Sequence, residues 1–153
     1  MLKAFFMTLA VSMLPVIELR GGIPFGVAAG LSYAEAFTAA VIGNMLPTPF
    51  VILFIRKIFA FLRRHVARLG RLIDALESRA QSKADIVRRY ALAGLIIVVA
   101  IPLPGTGAWT GSLIAALMDI RMNRSLPAIF IGVLIAGAVI TAACAGAVHI
   151  FGL

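Results

Sequence analysis

Apolar runs of two lengths alternate along the chain, and they occur in the same order twice. Each half contains two short runs followed by a longer one. A helix needs about 20 apolar residues to cross a bilayer, so only the longer runs can span it. The pattern predicts one spanning helix and one pair of short helices in each half. The runs are residues 4–17, 25–33, 36–55, 91–101, 112–118 and 126–151.

A segment rich in glycine and proline separates the two short runs of each half. It covers residues 18–24 in the first half and residues 102–111 in the second. Broken helix at membrane depth is tolerated only where protein or a polar cavity surrounds it. We therefore predict two re-entrant hairpins with these segments as their tips. The tip backbone is expected to depend on Gly21, Gly22, Pro24, Pro102, Pro104, Gly105 and Gly107.

A basic segment, residues 56–89, joins the two halves. It holds ten of the 14 lysines and arginines but only three acidic residues. Its apolar residues follow a heptad spacing, which predicts an amphipathic helix that lies on the membrane surface, packs back on itself or pairs with a second subunit. The positive-inside rule places this linker in the cytoplasm. The heptad row is Phe59, Val66, Ile73, Ala80 and Val87.

The cytoplasmic linker fixes the predicted orientation of both hairpins. The first must enter the membrane from the outer face and the second from the cytoplasmic face, which is the inverted repeat of many secondary transporters. The predicted fold is therefore an all-α integral membrane protein with a single membrane domain. Residues 1–55 form the first repeat, residues 56–89 the linker helix and residues 90–153 the second repeat.

Composition supports the membrane interpretation. The chain is 62% hydrophobic and 13% charged, whereas soluble domains are about 45–50% apolar and about 25% charged. The formal net charge of +8 is explained by the linker, so we expect no nucleic-acid partner. Lys3 precedes an apolar run as in a signal peptide, but no small-residue cleavage site follows, and we expect the segment to be retained. Cys144 is the single cysteine, which excludes a disulfide within the chain.

Two ionisable residues, Glu18 and Arg20, lie in the first predicted tip. Ionisable groups at membrane depth indicate a functional site. Glu18 either couples transport to protons or cations, or forms a permanent ion pair with Arg20. Arg20 either binds an anionic substrate group or bonds free helix carbonyls. We expect the tips to meet, with these residues opposite Thr106, Trp109 and Thr110.

Both tips resemble the small multidrug export protein family, which is distantly similar to the DedA-type (VTT) membrane proteins. The resemblance is carried by Pro15-x-x-Glu18-Leu19-Arg20-Gly21-Gly22-Ile23-Pro24 and by Pro102-Leu103-Pro104-Gly105-Thr106-Gly107-Ala108-Trp109-Thr110-Gly111. It implies an export function. The DedA-type relatives imply translocation of lipid carriers, proton-coupled transport and envelope homeostasis. The arginine motif usual in DedA-type proteins is absent after the second tip unless Arg121 or Arg124 takes its place.

The leading hypothesis is a small secondary transporter, an exporter of the inner membrane, with its site between the tips and with proton coupling as one option. Its expected partners are membrane lipids, a small-molecule or lipid-carrier substrate and a second copy of the chain. One alternative is a DedA-like lipid-carrier translocase or envelope-homeostasis protein, and another is a non-transporting scaffold. An intramembrane lipid-modifying enzyme ranks lowest, because only Arg20 accompanies Glu18. We expect no enzyme activity, catalytic residue, cofactor or metal.

Overall fold

A computed structural model describes residues 1–65, 70–103 and 106–151. All regular secondary structure in these ranges is α-helical, as the hydropathy pattern predicts. The helices are α1 (Leu2–Ser12), α2 (Glu18–Ala28), α3 (Tyr33–Met45), α4 (Thr48–His65), α5 (Gly70–Ala100), α6 (Ala108–Leu117) and α7 (Met122–Phe151).

Two segments of the described chain are long and apolar enough to cross a membrane. The first, Tyr33–Phe61, contains α3 and most of α4. The second is Met122–Ala147 in α7. The first is interrupted between α3 and α4 at Pro47, where a break is expected because proline has no amide hydrogen and restricts the residue before it. These segments match the two long runs of the sequence.

Helix α3 starts with the capping box that its sequence predicts. The Ser32 hydroxyl accepts a hydrogen bond from the Glu35 main-chain N–H, and the Glu35 carboxylate accepts one from the Ser32 N–H at 2.9 Å. Two otherwise free amide groups are satisfied in this way. The capping box therefore fixes the start of the first long segment.

The predicted first tip, residues 18–24, is wrong in its position. The chain turns at residues 13–17, and Gly21, Gly22 and Pro24 lie inside helix α2. A Cβ atom on Gly22 would collide with the Ser12 hydroxyl of α1. The physical reason for the correction is that Gly22 allows close contact between two helices rather than a turn.

Gly26 occupies a similarly tight position between α1, α2 and α3. A Cβ atom there would lie 2.9 Å from the Ala36 Cβ and 2.9 Å from the Thr8 Oγ1. We expect Gly26→Val to lower the free energy of unfolding by about 1–3 kcal/mol because it overpacks this contact. Thermal unfolding in detergent measures the effect. The control is Gly146→Val in α7, where the added side chain has open space around it. Its free energy of unfolding should lie within about 0.5 kcal/mol of the wild-type value.

The second pair of short helices consists of the apolar carboxyl-terminal end of α5 and the whole of α6. Ala91 has φ 50° and ψ −129°, which separates the basic part of α5 from its apolar end. Helix α5 then ends at Ala100, and α6 begins at Ala108; the segment between these two helices is the break of the second pair. The predicted tip, residues 102–111, is therefore wrong at its end, because residues 108–111 form the first turn of helix α6.

The residues assigned to the second tip fall into three groups. Pro102 lies in the break, and Gly107 is the residue that precedes α6, with φ 118°. Thr106 also lies in the break. Pro104 and Gly105 lie outside the described residues, so their predicted tip roles stay predictions.

The described members of the linker's heptad row pack against other parts of the chain, which the spacing alone did not identify as their partners. Phe59, Ile73, Ala80 and Val87 are all buried and belong to the hydrophobic core. Val66, the fifth member, lies outside the described residues. This row is therefore not free to form a coiled coil with a second subunit.

Small residues on α7 are also used within the chain. Gly132 packs against Val99 of α5, and Gly137 packs against Phe37 of α3. Ala136 between them is buried. Association with a second copy of the chain stays a prediction; Ala143 and Gly146, further along α7, are exposed.

Candidate functional site

The turn at residues 13–17 and the start of α2 lie against the start of α6. The Trp109 indole Nε1 donates a hydrogen bond to the Met13 carbonyl at 3.1 Å. The Trp109 main-chain N–H donates to the Glu18 Oε1 at 3.2 Å. One residue of α6 therefore contacts both the turn and the first residue of α2.

Glu18 is buried at this contact, with 3% of its surface exposed. Its carboxylate lies at the amino-terminal end of α6, where the free amide groups and the helix dipole favour an anion. Gly107 permits this approach, because a Cβ atom there would collide with the carboxylate. Glu18 also has φ 52°, an uncommon conformation for a residue other than glycine and one that clusters at functional sites.

Arg20 donates hydrogen bonds to the segment that precedes α6. Its Nη2 donates to the Thr106 Oγ1 at 2.7 Å, and its Nη1 donates to the Leu103 carbonyl. The Thr106 hydroxyl also lies 2.6 Å from the Ile101 carbonyl and accepts a hydrogen bond from the Leu103 N–H at 3.2 Å. A cation is favourable at this place because helix α5 has just ended and leaves carbonyls without helical partners.

Glu18 and Arg20 do not form the ion pair that the sequence allowed. Both are described residues, and the ion pairs found in the described chain are between other residues, such as Arg56 and Asp119. Glu18 contacts the start of α6, whereas Arg20 contacts the segment that follows α5. The two charges therefore bind at the two ends of the segment that separates α5 from α6.

A cavity of about 540 Å³ opens beside this contact. Its polar lining includes every residue predicted from the sequence for the substrate or coupling site. Most of its remaining lining is apolar. The structure thus brings the predicted residues to one place, although it does not assign them a role. They are Glu18, Arg20, Thr106, Trp109 and Thr110.

Sequence reasoning missed the contribution of α4 and α5 to this cavity. Val51, Ile55 and Phe59 of α4 line one side, and Leu76 and Arg79 of α5 also line it. Their spacing follows the helical period, but the same spacing suits any buried helix face. The contact depends on how the linker folds back on the membrane domain, which the local sequence does not specify.

Asn44 is a further residue that sequence reasoning missed. It is fully buried, and neither its amide nitrogen nor its amide oxygen has a hydrogen-bond partner among the described residues. Asn44 also lines a small pocket together with Glu18 and Arg20. A polar residue within an apolar run was the available signal.

Among the described residues, the site offers one carboxyl group, two guanidinium groups, two threonine hydroxyl groups and one carboxamide. Within the described ranges, no three His, Cys, Asp or Glu side chains gather closely enough to hold a metal ion. A cavity of this composition can bind a small amphipathic molecule, and its carboxyl group can take up and release a proton.

Comparison with known proteins gives one match. Residues 18–139 match the family described as "Putative small multi-drug export protein", a range that contains Glu18, all of α6 and most of both long apolar segments. No curated protein and no solved structure gives a significant match. The distant similarity to DedA-type proteins stays a prediction. Because the matched range covers most of the chain, the protein belongs to the small multi-drug export protein family.

Proposed function

We propose that the protein is a membrane exporter that binds its substrate in the cavity beside Glu18. The cavity carries this proposal. Its volume of about 540 Å³ lies within the range of about 300–1,000 Å³ typical of small-molecule sites. An export family and two segments long enough to span a membrane agree with it.

The lining of the cavity suggests the class of substrate. Val51, Ile55 and Phe59 offer an apolar wall, while Arg79 contributes a charged group. Ligand sites of this kind bind a largely apolar molecule and orient it through a few polar groups. The proposed substrate is therefore a small amphipathic compound, with a lipid carrier as the alternative.

Proton coupling through Glu18 is the second part of the proposal. Glu18 is the carboxyl group that lines the cavity, it is buried, and its backbone conformation is unusual. A buried carboxyl group in contact with a substrate cavity can exchange a proton during each cycle. Arg20 has a supporting role here, since it holds the break before α6.

The proposed arrangement in the membrane is an inverted repeat. Helices α1 and α2 would enter from the outer face, and the apolar end of α5 with α6 would enter from the cytoplasmic face. The basic linker would lie in the cytoplasm of a cell whose inner membrane holds the protein. The break between the helices of each pair and the contact between the two breaks support this arrangement.

Flux into proteoliposomes tests the export function. Purified protein is reconstituted and a pH gradient is imposed. A panel of lipophilic cations, amphipathic anions and lipid carriers is then supplied. Leu76→Trp, which fills the cavity, should reduce flux by about tenfold or more, since a blocked site costs at least about 1.4 kcal/mol of binding. Leu53→Trp, exposed and outside the cavity lining, should transport like the wild type. Equal flux in both variants would contradict a substrate path through this cavity.

The membrane arrangement predicts that Ala34 and Ser78 lie on opposite faces. Both are exposed, so each can be replaced by cysteine in a Cys144→Ala background, which removes the only native thiol. An impermeant thiol reagent added outside intact cells should label Ala34→Cys and not Ser78→Cys. Labelling of both positions from one side would contradict the inverted repeat.

A further inference from the structure

Asn44 is a buried side chain without the hydrogen bonds that such a group requires. Thr48 donates to the Asn44 main-chain carbonyl at 3.2 Å, but no described residue forms a hydrogen bond with either polar atom of the Asn44 side chain. Buried polar side chains nearly always have a partner. A carboxamide left in this state indicates a partner that reaches it in another state of the protein.

The pocket lined by Asn44 contains one candidate for that partner. Glu18 lines the same pocket, and the other charged group there is Arg20, whose donors are directed at Leu103 and Thr106. The adjoining cavity adds Arg79 as a further charged group, and the described residues lining the two spaces include no other carboxyl group. The rest of the pocket is apolar or glycine: Leu19, Val99, Gly107, Ala108, Val133 and Ala136.

The hydrogen-bonding capacities of the two groups match only when the carboxyl group is protonated. A carboxylate accepts hydrogen bonds and cannot donate one, so it would satisfy the amide nitrogen alone. A carboxylic acid can donate to the amide oxygen and accept from the amide nitrogen at the same time. Both unsatisfied atoms of Asn44 are then paired.

We propose that Glu18 and Asn44 form a proton-binding site, in which Asn44 is the positioning residue that holds the protonated carboxyl group. This role for Asn44 rests on the proposed function, because Glu18 is the proton carrier there. A proton fits the pocket better than a metal cation does. The described lining of the pocket lacks the roughly six oxygen ligands that hard cations collect.

The site gives Glu18 two positions that depend on its charge. The carboxylate is favoured at the amino-terminal end of α6, where it accepts from the Trp109 N–H. The neutral acid gains less from the helix dipole and more from Asn44. Proton uptake from the cavity therefore moves the side chain from α6 to Asn44, and proton release returns it, with no other bond made or broken.

This exchange would release one of the hydrogen bonds that join the start of α2 to the start of α6. The carboxylate form holds α6 through the Trp109 N–H, whereas the acid form leaves α6 attached to the first helix pair by the indole and by Arg20. Protonation is thus linked to the contact beside the cavity. This is the physical connection that a proton-driven exporter requires between its driving ion and its substrate site.

Trp109 reports on the exchange directly, because it is the only tryptophan of the chain. Its fluorescence is measured in purified protein, in detergent and in vesicles, as the pH is lowered. The wild type should show a reversible change in emission as the Glu18 contact is released. Glu18→Gln, which imitates the neutral acid, should show the acid form of the emission at every pH.

Asn44→Leu should largely lose the acid-induced change, since an apolar side chain of similar shape cannot hold the protonated carboxyl group. Asn44→Ala cannot overpack the pocket and serves as the second variant. Asn123→Leu is the matched control, because Asn123 is exposed at the start of α7 and should keep the full change. Circular dichroism establishes that each variant is folded.

Three outcomes would overturn the proposal. An unchanged acid response in both Asn44 variants, with loss in Glu18→Gln, would leave Glu18 as the proton site without Asn44. An absent response in the wild type would mean that Glu18 does not exchange. Failure of both Asn44 variants to fold, with Asn123→Leu folded, would mean that Asn44 is satisfied in the resting state. Flux is measured on the same preparations, so that an intact fluorescence response without transport rejects the export function and retains the proton site.

Discussion

Proteoliposomes that contain the Glu18→Gln variant are expected to show no flux above empty vesicles when a pH gradient is the only driving force. The amide cannot take up or release a proton, so the coupling step is lost. The protein should remain folded, because glutamine keeps the size of the side chain and α6 stays attached to the first helix pair through the Trp109 indole and Arg20. Flux is followed with whichever compound of the panel the wild type transports.

The matched control for this experiment is Glu35→Gln. Glu35 is a carboxylate outside the cavity lining, and glutamine also serves at its position in a capping box. We expect this variant to transport at the wild-type rate. Wild-type transport by Glu18→Gln as well would show that Glu18 has only a structural role, namely to cap the start of α6.

Gly107→Ala is expected to have the second large effect, on both stability and transport. Gly107 has φ 118° and ψ −168°, a region that is essentially restricted to glycine, and forcing alanine into it costs about 1–3 kcal/mol. The added Cβ would also collide with the Glu18 carboxylate. The variant should therefore unfold several degrees below the wild type and lose proton-driven flux.

Gly30→Ala separates these two causes. Gly30 also has a positive φ, of 88°, but no atom lies within 4 Å of the position of an added Cβ. It should therefore lose some stability through backbone strain and keep its transport activity. Thermal unfolding and flux are measured on both variants. Equal loss of transport in the two would contradict the specific contact between Gly107 and Glu18.

Local features of the sequence were sufficient where neighbouring residues decide the structure. The capping box of Ser32 and Glu35, the break at Pro47 and the turn at Asp119 each depend on groups a few residues apart. Asp119 has φ 54° and lies two residues after Leu117, the last residue of α6. The two long apolar segments were also predictable, since length and hydropathy alone define them.

Glycine positions show where local reasoning failed. A Gly-Gly-x-Pro sequence fits a turn, yet it also fits a helix that packs closely against another helix. Ser12 of α1 decides between these possibilities, because its hydroxyl fills the space that a Cβ on Gly22 would need. Nothing within the segment itself identifies that neighbour, so the predicted turn was placed a few residues too late.

The sequence by itself determined that this chain is helical, that two segments can span a membrane and that Glu18 and Arg20 are exceptional among its apolar residues. Only the tertiary structure decided what those two charges contact. Each finds a helix end more than 80 residues away along the chain rather than its neighbour. Hydrogen bonds and charge pairing depend on distance in space, and the packing of all seven described helices sets that distance. The unsatisfied amide of Asn44 became visible for the same reason.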